Sequence, residues 1–288
     1  MEQETQNNSL NKCIMKNTIV SIQWIKDNFQ DQNLIILDAS QQTNQANVIP
    51  EYQGIQIQGA RFFDIKNDFS DSSNPLPNTI PIPEEFTNSA QKLGINATSK
   101  IIVYDSLGIY SSPRAWWLFQ IMGHENVWVL DGGLPAWVKA NLPVEKPMEK
   151  IYQKGNFISN FNPKMVTYTK EILKNIESKE AVLIDARSND RFLGETEEPR
   201  AGLRSGHIPG AINISYTDIV HNGYFLSKEK LKAILPNQEK PLIFSCGSGI
   251  TACIDYLAYE IISATNQKAI YDGSWTEWGQ SDSLPIEK

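Results

Sequence analysis

This chain repeats itself. The first half holds ILDAS at 36–40, QIQGARFFDI at 56–65, IIVYDS at 101–106 and VLDGGLPAW at 129–137. The second holds LIDARS at 183–188, HIPGAINI at 207–214, LIFSCG at 242–247 and IYDGSWTEW at 270–278. Three anchors share one offset of 141 positions: 105 to 246, 131 to 272 and 137 to 278. Separate motifs on one offset point to two copies of one fold. Each copy alternates short apolar runs with helical stretches. LIILDA (34–39), KIIVYDS (100–106), AVLIDA (181–186) and PLIFSC (241–246) read as buried strands, and SPRAWWLFQIMG (112–123) and TACIDYLAYEII (251–262) as helices. That order implies α/β domains, each a mainly parallel sheet flanked by helices. The expected boundaries are a tail at 1–17, a first domain at 18–143, a connection at 144–163 and a second domain at 164–288. The polar, proline-rich stretch 66–83 reads as a long loop of the functional kind.

Composition narrows the function. A net charge of −7 argues against a non-specific nucleic-acid or anionic-membrane binder. No apolar run approaches the roughly 20 residues that span a bilayer. The N-terminal stretch lacks an apolar core and is too acidic for a transit peptide, which makes a cytoplasmic location the expectation. Cys13, Cys246 and Cys253 are too few for a disulfide framework. His124, His207 and His221 are scattered without metal-ligand spacing, so no metal is expected.

The informative cysteine is Cys246. It ends a buried strand, GSGI follows, and a helix begins near Thr251. Such a turn points successive backbone N–H groups inward as an anion nest, and the helix N-terminus adds partial positive charge. Gly247, Gly249, Ile250 and Thr251 are therefore expected to bind through their amides, and a thiol held there favours the thiolate. Ligands in α/β sheets bind beyond the carboxyl ends of strands, where Cys246 falls. Cys253, inside the apolar helical pattern, reads as packing, and Cys13 as incidental. Attack on sulfur and phosphate-ester hydrolysis both suit such a loop. The second is disfavoured, because Ala252 stands where Cys-dependent phosphatases carry an arginine.

These motifs resemble the rhodanese superfamily, and within it the two-domain 3-mercaptopyruvate sulfurtransferases. The resemblance runs from about Val20 almost to the end. It rests on GARFFDI (59–65), YDSLGIYSSPRAWWLFQIMGHENVWVLDGG (104–133), DARSNDRFLGETEEPRAGLRSGHIPGAINI (185–214), SCGSGITAC (245–253) and YDGSWTEWG (271–279). It implies a persulfide on Cys246, a small-molecule sulfur donor, a thiol acceptor such as thioredoxin, and no cofactor. It places the substrate carboxylate and keto group on Arg191 and Arg200; on their own these two read equally well as a solvated charged loop. A planar guanidinium suits a 2-keto carboxylate. Gly247 and Ser248 follow the cysteine where thiosulfate-preferring members carry basic side chains, so thiosulfate is the second donor to test. Ser248 is expected to donate a proton to the sulfur or the leaving enolate. Arg187 and His207 fall on structural positions, and Asp272 and Trp275 read as packing. Asp105 at the nucleophile position makes the first copy non-catalytic. Lys66 and Asn78 stand where the family's proposed acid and histidine fall. That departure motivates a third reading, a non-catalytic sulfur carrier.

Overall fold

The computed structural model describes residues 18–44, 47–237 and 239–288. The tail 1–17, with Cys13, lies outside the described residues.

Each repeat builds a five-stranded parallel sheet. In the first the spatial order is Ile19–Val20, Val127–Leu130, Lys100–Tyr104, Leu34–Asp38, Arg61–Phe62. In the second it is Val166–Thr167, Lys268–Tyr271, Leu242–Ser245, Val182–Asp185, Ile212–Asn213. The two orders correspond strand for strand. The long strands are continuous apolar runs because helices cover both faces. The α/β class read from the alternation is what the chain adopts.

The central strand of each sheet, Lys100–Tyr104 or Leu242–Ser245, ends in the loop read as functional. A helix follows each loop, Ser112–Ile121 in the first repeat and Ala252–Ile261 in the second. Both helices are buried nearly all round, since each packs on its own sheet and also on the other helix. Trp116 meets Tyr256 edge-on at 6.0 Å. One hydrophobic cluster therefore runs through both repeats, from Phe119 and Trp116 to Ile254 and Leu257. The cleft between the repeats is thus set by core packing.

The connection after Pro143 has little regular structure. Val144–Glu145 pairs antiparallel with Gln56–Ile57, and the rest lies along the first repeat, with Phe157 buried in its core. No described helix is long and apolar enough to cross a membrane.

Candidate active site

The Cys246 loop owes its shape to its carbonyls. Trp275 N–H donates to the Cys246 carbonyl at 2.9 Å, and the Thr276 amide and hydroxyl donate to that of Gly247 at 2.9 and 2.5 Å. With those carbonyls held by the first turn of the helix Ser274–Trp278, the loop's amides are free to face inward. The Gly249 amide donates to Cys246 Sγ at 3.2 Å. Gly249 has φ +79°, a conformation that glycine takes without strain. Among the described residues, the amides of Ser248, Ile250 and Thr251 give no hydrogen bond.

The same loop in the first repeat shows what that nest does. The Asp105 carboxylate fills it, accepting from the amides of Leu107, Tyr110, Ser111 and Ser112 at 2.8–3.0 Å and from the Ser112 hydroxyl at 2.6 Å. A carboxylate bound by four amides marks the loop as an anion cradle. In the first repeat the chain's own side chain occupies it. In the second the corresponding residue is Cys246, whose sulfur accepts one amide of the loop, that of Gly249.

Cys246 lies at the bottom of a cavity of about 910 Å³ between the repeats. The walls include residues 40–44, 64–67 and 74–78 of the first repeat and Arg191, Arg200, Gly247, Ser248, Ile250 and Thr251 of the second. Gly249, expected to bind substrate, does not line it; its amide supports the sulfur from behind. A side chain at Gly247 would meet Arg191 Nη2 at 3.2 Å and Arg200 Nη1 at 3.9 Å. Two guanidinium groups thus occupy the space a larger residue after the cysteine would need.

Arg191 is braced by Glu198, through Nε at 3.2 Å and Nη2 at 2.6 Å. Glu198 also takes Arg187 Nη1 at 2.9 Å, while Arg187 grips Asp185 and lies over the Trp275 ring at 4.3 Å. The structural reading of Arg187 fits this network. Arg200 donates to Ser248 Oγ at 3.2 Å and Thr276 Oγ1 at 3.3 Å. Burial pulls its guanidinium below the ordinary arginine value, the Cys246 charge opposes that, and Arg191 adds to it.

The long loop of the first repeat enters the site through Asn78. Its side-chain amide donates to Ser248 Oγ at 3.0 Å, and its backbone is left-handed at φ +60°. Lys66 lines the cavity wall, and Asp64 caps the turn there by accepting from the Lys66 and Asn67 amides. His207 bonds the Phe192 carbonyl and stacks on its ring, as a structural histidine does. Cys253 is fully buried against the Gly249 carbonyl, and burial pushes its thiol up to about 12.

Asp272 does more than pack. It pairs with Arg114 at 3.3 Å and accepts the Ile80 amide at 3.0 Å, both from the first repeat. Sequence reading also passed over Glu198, Thr276 and Arg114. The one available signal was an arginine inside the otherwise apolar SPRAWWLFQI helix.

Twin parallel α/β domains, one cradling a cysteine and the other a carboxylate, define a rhodanese-type architecture. The chain belongs to the rhodanese family: the family's rhodanese-like domain model matches residues 21–140 and 168–281. It is 39% identical over 275 residues to the 3-mercaptopyruvate sulfurtransferase of Escherichia coli (strain K12), covering 93% of this chain and 97% of that one. Against the human 3-mercaptopyruvate sulfurtransferase it is 35% identical over 273 residues, covering 90% and 91%. The crystal structure of SseA from Escherichia coli, a 3-mercaptopyruvate sulfotransferase, superposes with a TM-score of 0.79 at 36% identity, covering 90% of this chain and 99% of that one.

Proposed function

We propose that this protein is a 3-mercaptopyruvate sulfurtransferase that carries sulfur on Cys246. The observation that carries the reading is the Cys246 sulfur on the Gly249 amide, at the floor of a cleft that Arg191 and Arg200 also line.

The Cys246 thiolate attacks the substrate sulfur. A sulfur–sulfur bond forms, the carbon–sulfur bond breaks, and its electron pair leaves on pyruvate enolate. The substrate thiol's proton ends on the methyl carbon, so thiolate and mercaptopyruvate become persulfide anion and pyruvate with nothing added. Arg191 and Arg200 orient the carboxylate and keto oxygen, an electrostatic fit that strengthens as the enolate forms. Ser248 hands its hydroxyl proton toward that enolate and takes the substrate thiol's proton in its place, so the sum is unchanged. The cradle amides hold the persulfide anion. A thiolate acceptor then attacks the outer sulfur and frees Cys246, which is covalent catalysis in two half-reactions. Cyanide can replace the thiol, leaving as thiocyanate. Thioredoxin, whose thiols a cytoplasmic setting keeps reduced, is the acceptor we assign.

The test is intact mass after exposure to 3-mercaptopyruvate. A gain of roughly 32 Da, one sulfur atom, is expected on the wild type and not on Cys246→Ser. Pyruvate and sulfide should follow once a dithiol is added. Neither product from folded protein would end the reading. Two guanidinium groups beside the sulfur also suit thiosulfate, and a relative in Arabidopsis thaliana is named thiosulfate/3-mercaptopyruvate sulfurtransferase. The lack of a basic side chain at Gly247 and Ser248 favours mercaptopyruvate, so its kcat/KM should be the larger of the two.

A further inference from the structure

We propose that Arg114, a residue of the first repeat, is a positioning residue for the sulfur-carrying loop of the second. This rests on the sulfurtransferase reading above. Residues 247–251 carry no charged side chain. A cation reaches the loop from behind instead.

Arg114 sits in the helix Ser112–Ile121 and is wholly buried. Its side chain crosses to the other repeat. Nη1 donates to the Gly249 carbonyl at 3.3 Å; Nη2 donates to the Asn78 carbonyl at 2.5 Å and to Asp272 Oδ1 at 3.3 Å. Keeping an ion pair in a core costs stability that an apolar pair would not, so its presence calls for a reason beyond packing.

Two of those contacts lead to groups at the sulfur. The peptide whose oxygen is Gly249's has its N–H on Ile250, which lines the cavity and gives no hydrogen bond among the described residues. Drawing charge toward that carbonyl makes the N–H a better donor to a sulfur anion. The same grip fixes Gly249, whose amide touches Cys246 Sγ. The second contact clamps the Asn78 backbone at φ +60°, from which its side-chain amide reaches Ser248 Oγ. The repeat supplies an internal comparison. At 141 positions beyond Arg114 stands Asp255, so only one of the two helices carries the cation.

The experiment compares Arg114→Gln and Asp272→Asn in the whole protein at pH 7. Two rates are read: alkylation of Cys246 by iodoacetamide, and steady-state turnover of 3-mercaptopyruvate. Arg114→Gln should slow alkylation about tenfold by removing a nearby cation. It should lower kcat by a similar factor and leave KM within about threefold, because Arg114 does not line the cavity. Asp272→Asn removes the counter-charge and should speed alkylation. Opposite signs are what a merely structural role cannot give. If Arg114→Gln does not fold, the double variant removes the pair as a unit; it should then alkylate more slowly than Asp272→Asn alone. Wild-type alkylation in Arg114→Gln, or the same direction in both single variants, would overturn the proposal. Alkylation needs no sulfur donor, so a wrong donor assignment would show separately, as absent pyruvate from the wild type.

Discussion

The Ser248 oxygen accepts from Asn78 at 3.0 Å and from Arg200 at 3.2 Å, so both lone pairs are engaged. Its hydrogen is what remains to give. Donation toward the leaving enolate follows from this count, and no histidine is needed to aim the hydroxyl. Ser248→Ala should therefore lower kcat about a hundredfold, the usual size of one general-acid contribution. Inhibition by pyruvate should stay near the wild-type value, since the arginines remain. An unchanged kcat would show that the substrate's own proton reaches carbon unaided. Cys246 was legible in the sequence because strand end, glycine turn and helix start are contiguous. The part of Asn78 was not, because 170 residues separate it from the hydroxyl it holds. The sequence also showed that neither Asn78 nor Lys66 supplies the acid or histidine the family is proposed to use at those positions. It could not show that Asn78 would act as a donor instead.

The two loops are the same element put to different ends. Around Asp105, five donors converge on one buried carboxylate. Asp105→Ala strands them, and the expected loss of unfolding free energy is about 3–5 kcal/mol, measurable in urea. A loss under about 1 kcal/mol would mean that water or the backbone takes over the cradle. The helix after the second loop carries the opposite case. Asp255 is wholly buried, and neither of its oxygens has a hydrogen-bond partner among the described residues. Burial raises its carboxyl well above the ordinary carboxylate range, with the Cys246 charge adding to that. A carboxyl raised in the folded state contributes fully below its unfolded value and loses that contribution as pH climbs toward the folded one. Asp255→Asn, which has no proton to lose, should gain about 1–3 kcal/mol over wild type at pH 8. The gain should vanish near pH 4. A difference constant from pH 4 to 8 would place a counter-ion or water beside the carboxyl. The pattern of TACIDYLAYEII gave the helix correctly, but a single acid within it looks the same whether exposed or buried.

The sheets were readable from strand alternation, and the doubling from the common offset. How the copies meet was not, because the contacts join loops that no periodicity links. The repeats interlock by the same move in both directions. Asp272 accepts the Ile80 amide of the first repeat, and Asp131, its counterpart, accepts the Phe225 amide of the second at 3.0 Å. Gly108 lies so close to Gly223 that a Cβ there would fall 2.5 Å from the Gly223 carbonyl oxygen. With the helices Ser112–Ile121 and Ala252–Ile261 packed together, each half finishes the other's core. Residues 164–288 produced alone would keep Cys246, Arg191 and Arg200 but lose Asn78 and Arg114. They would also bare the face that holds Tyr256, part of an apolar patch of the kind that drives association. The expected behaviour is aggregation, or at best turnover of 3-mercaptopyruvate at least a hundredfold below the intact chain. Co-expression with residues 18–163 should recover a soluble complex and most of the activity, since the contacts across the cleft are non-covalent. A second half that is monomeric and fully active alone would show that the first repeat, for all its contacts, takes no part in shaping the sulfur site.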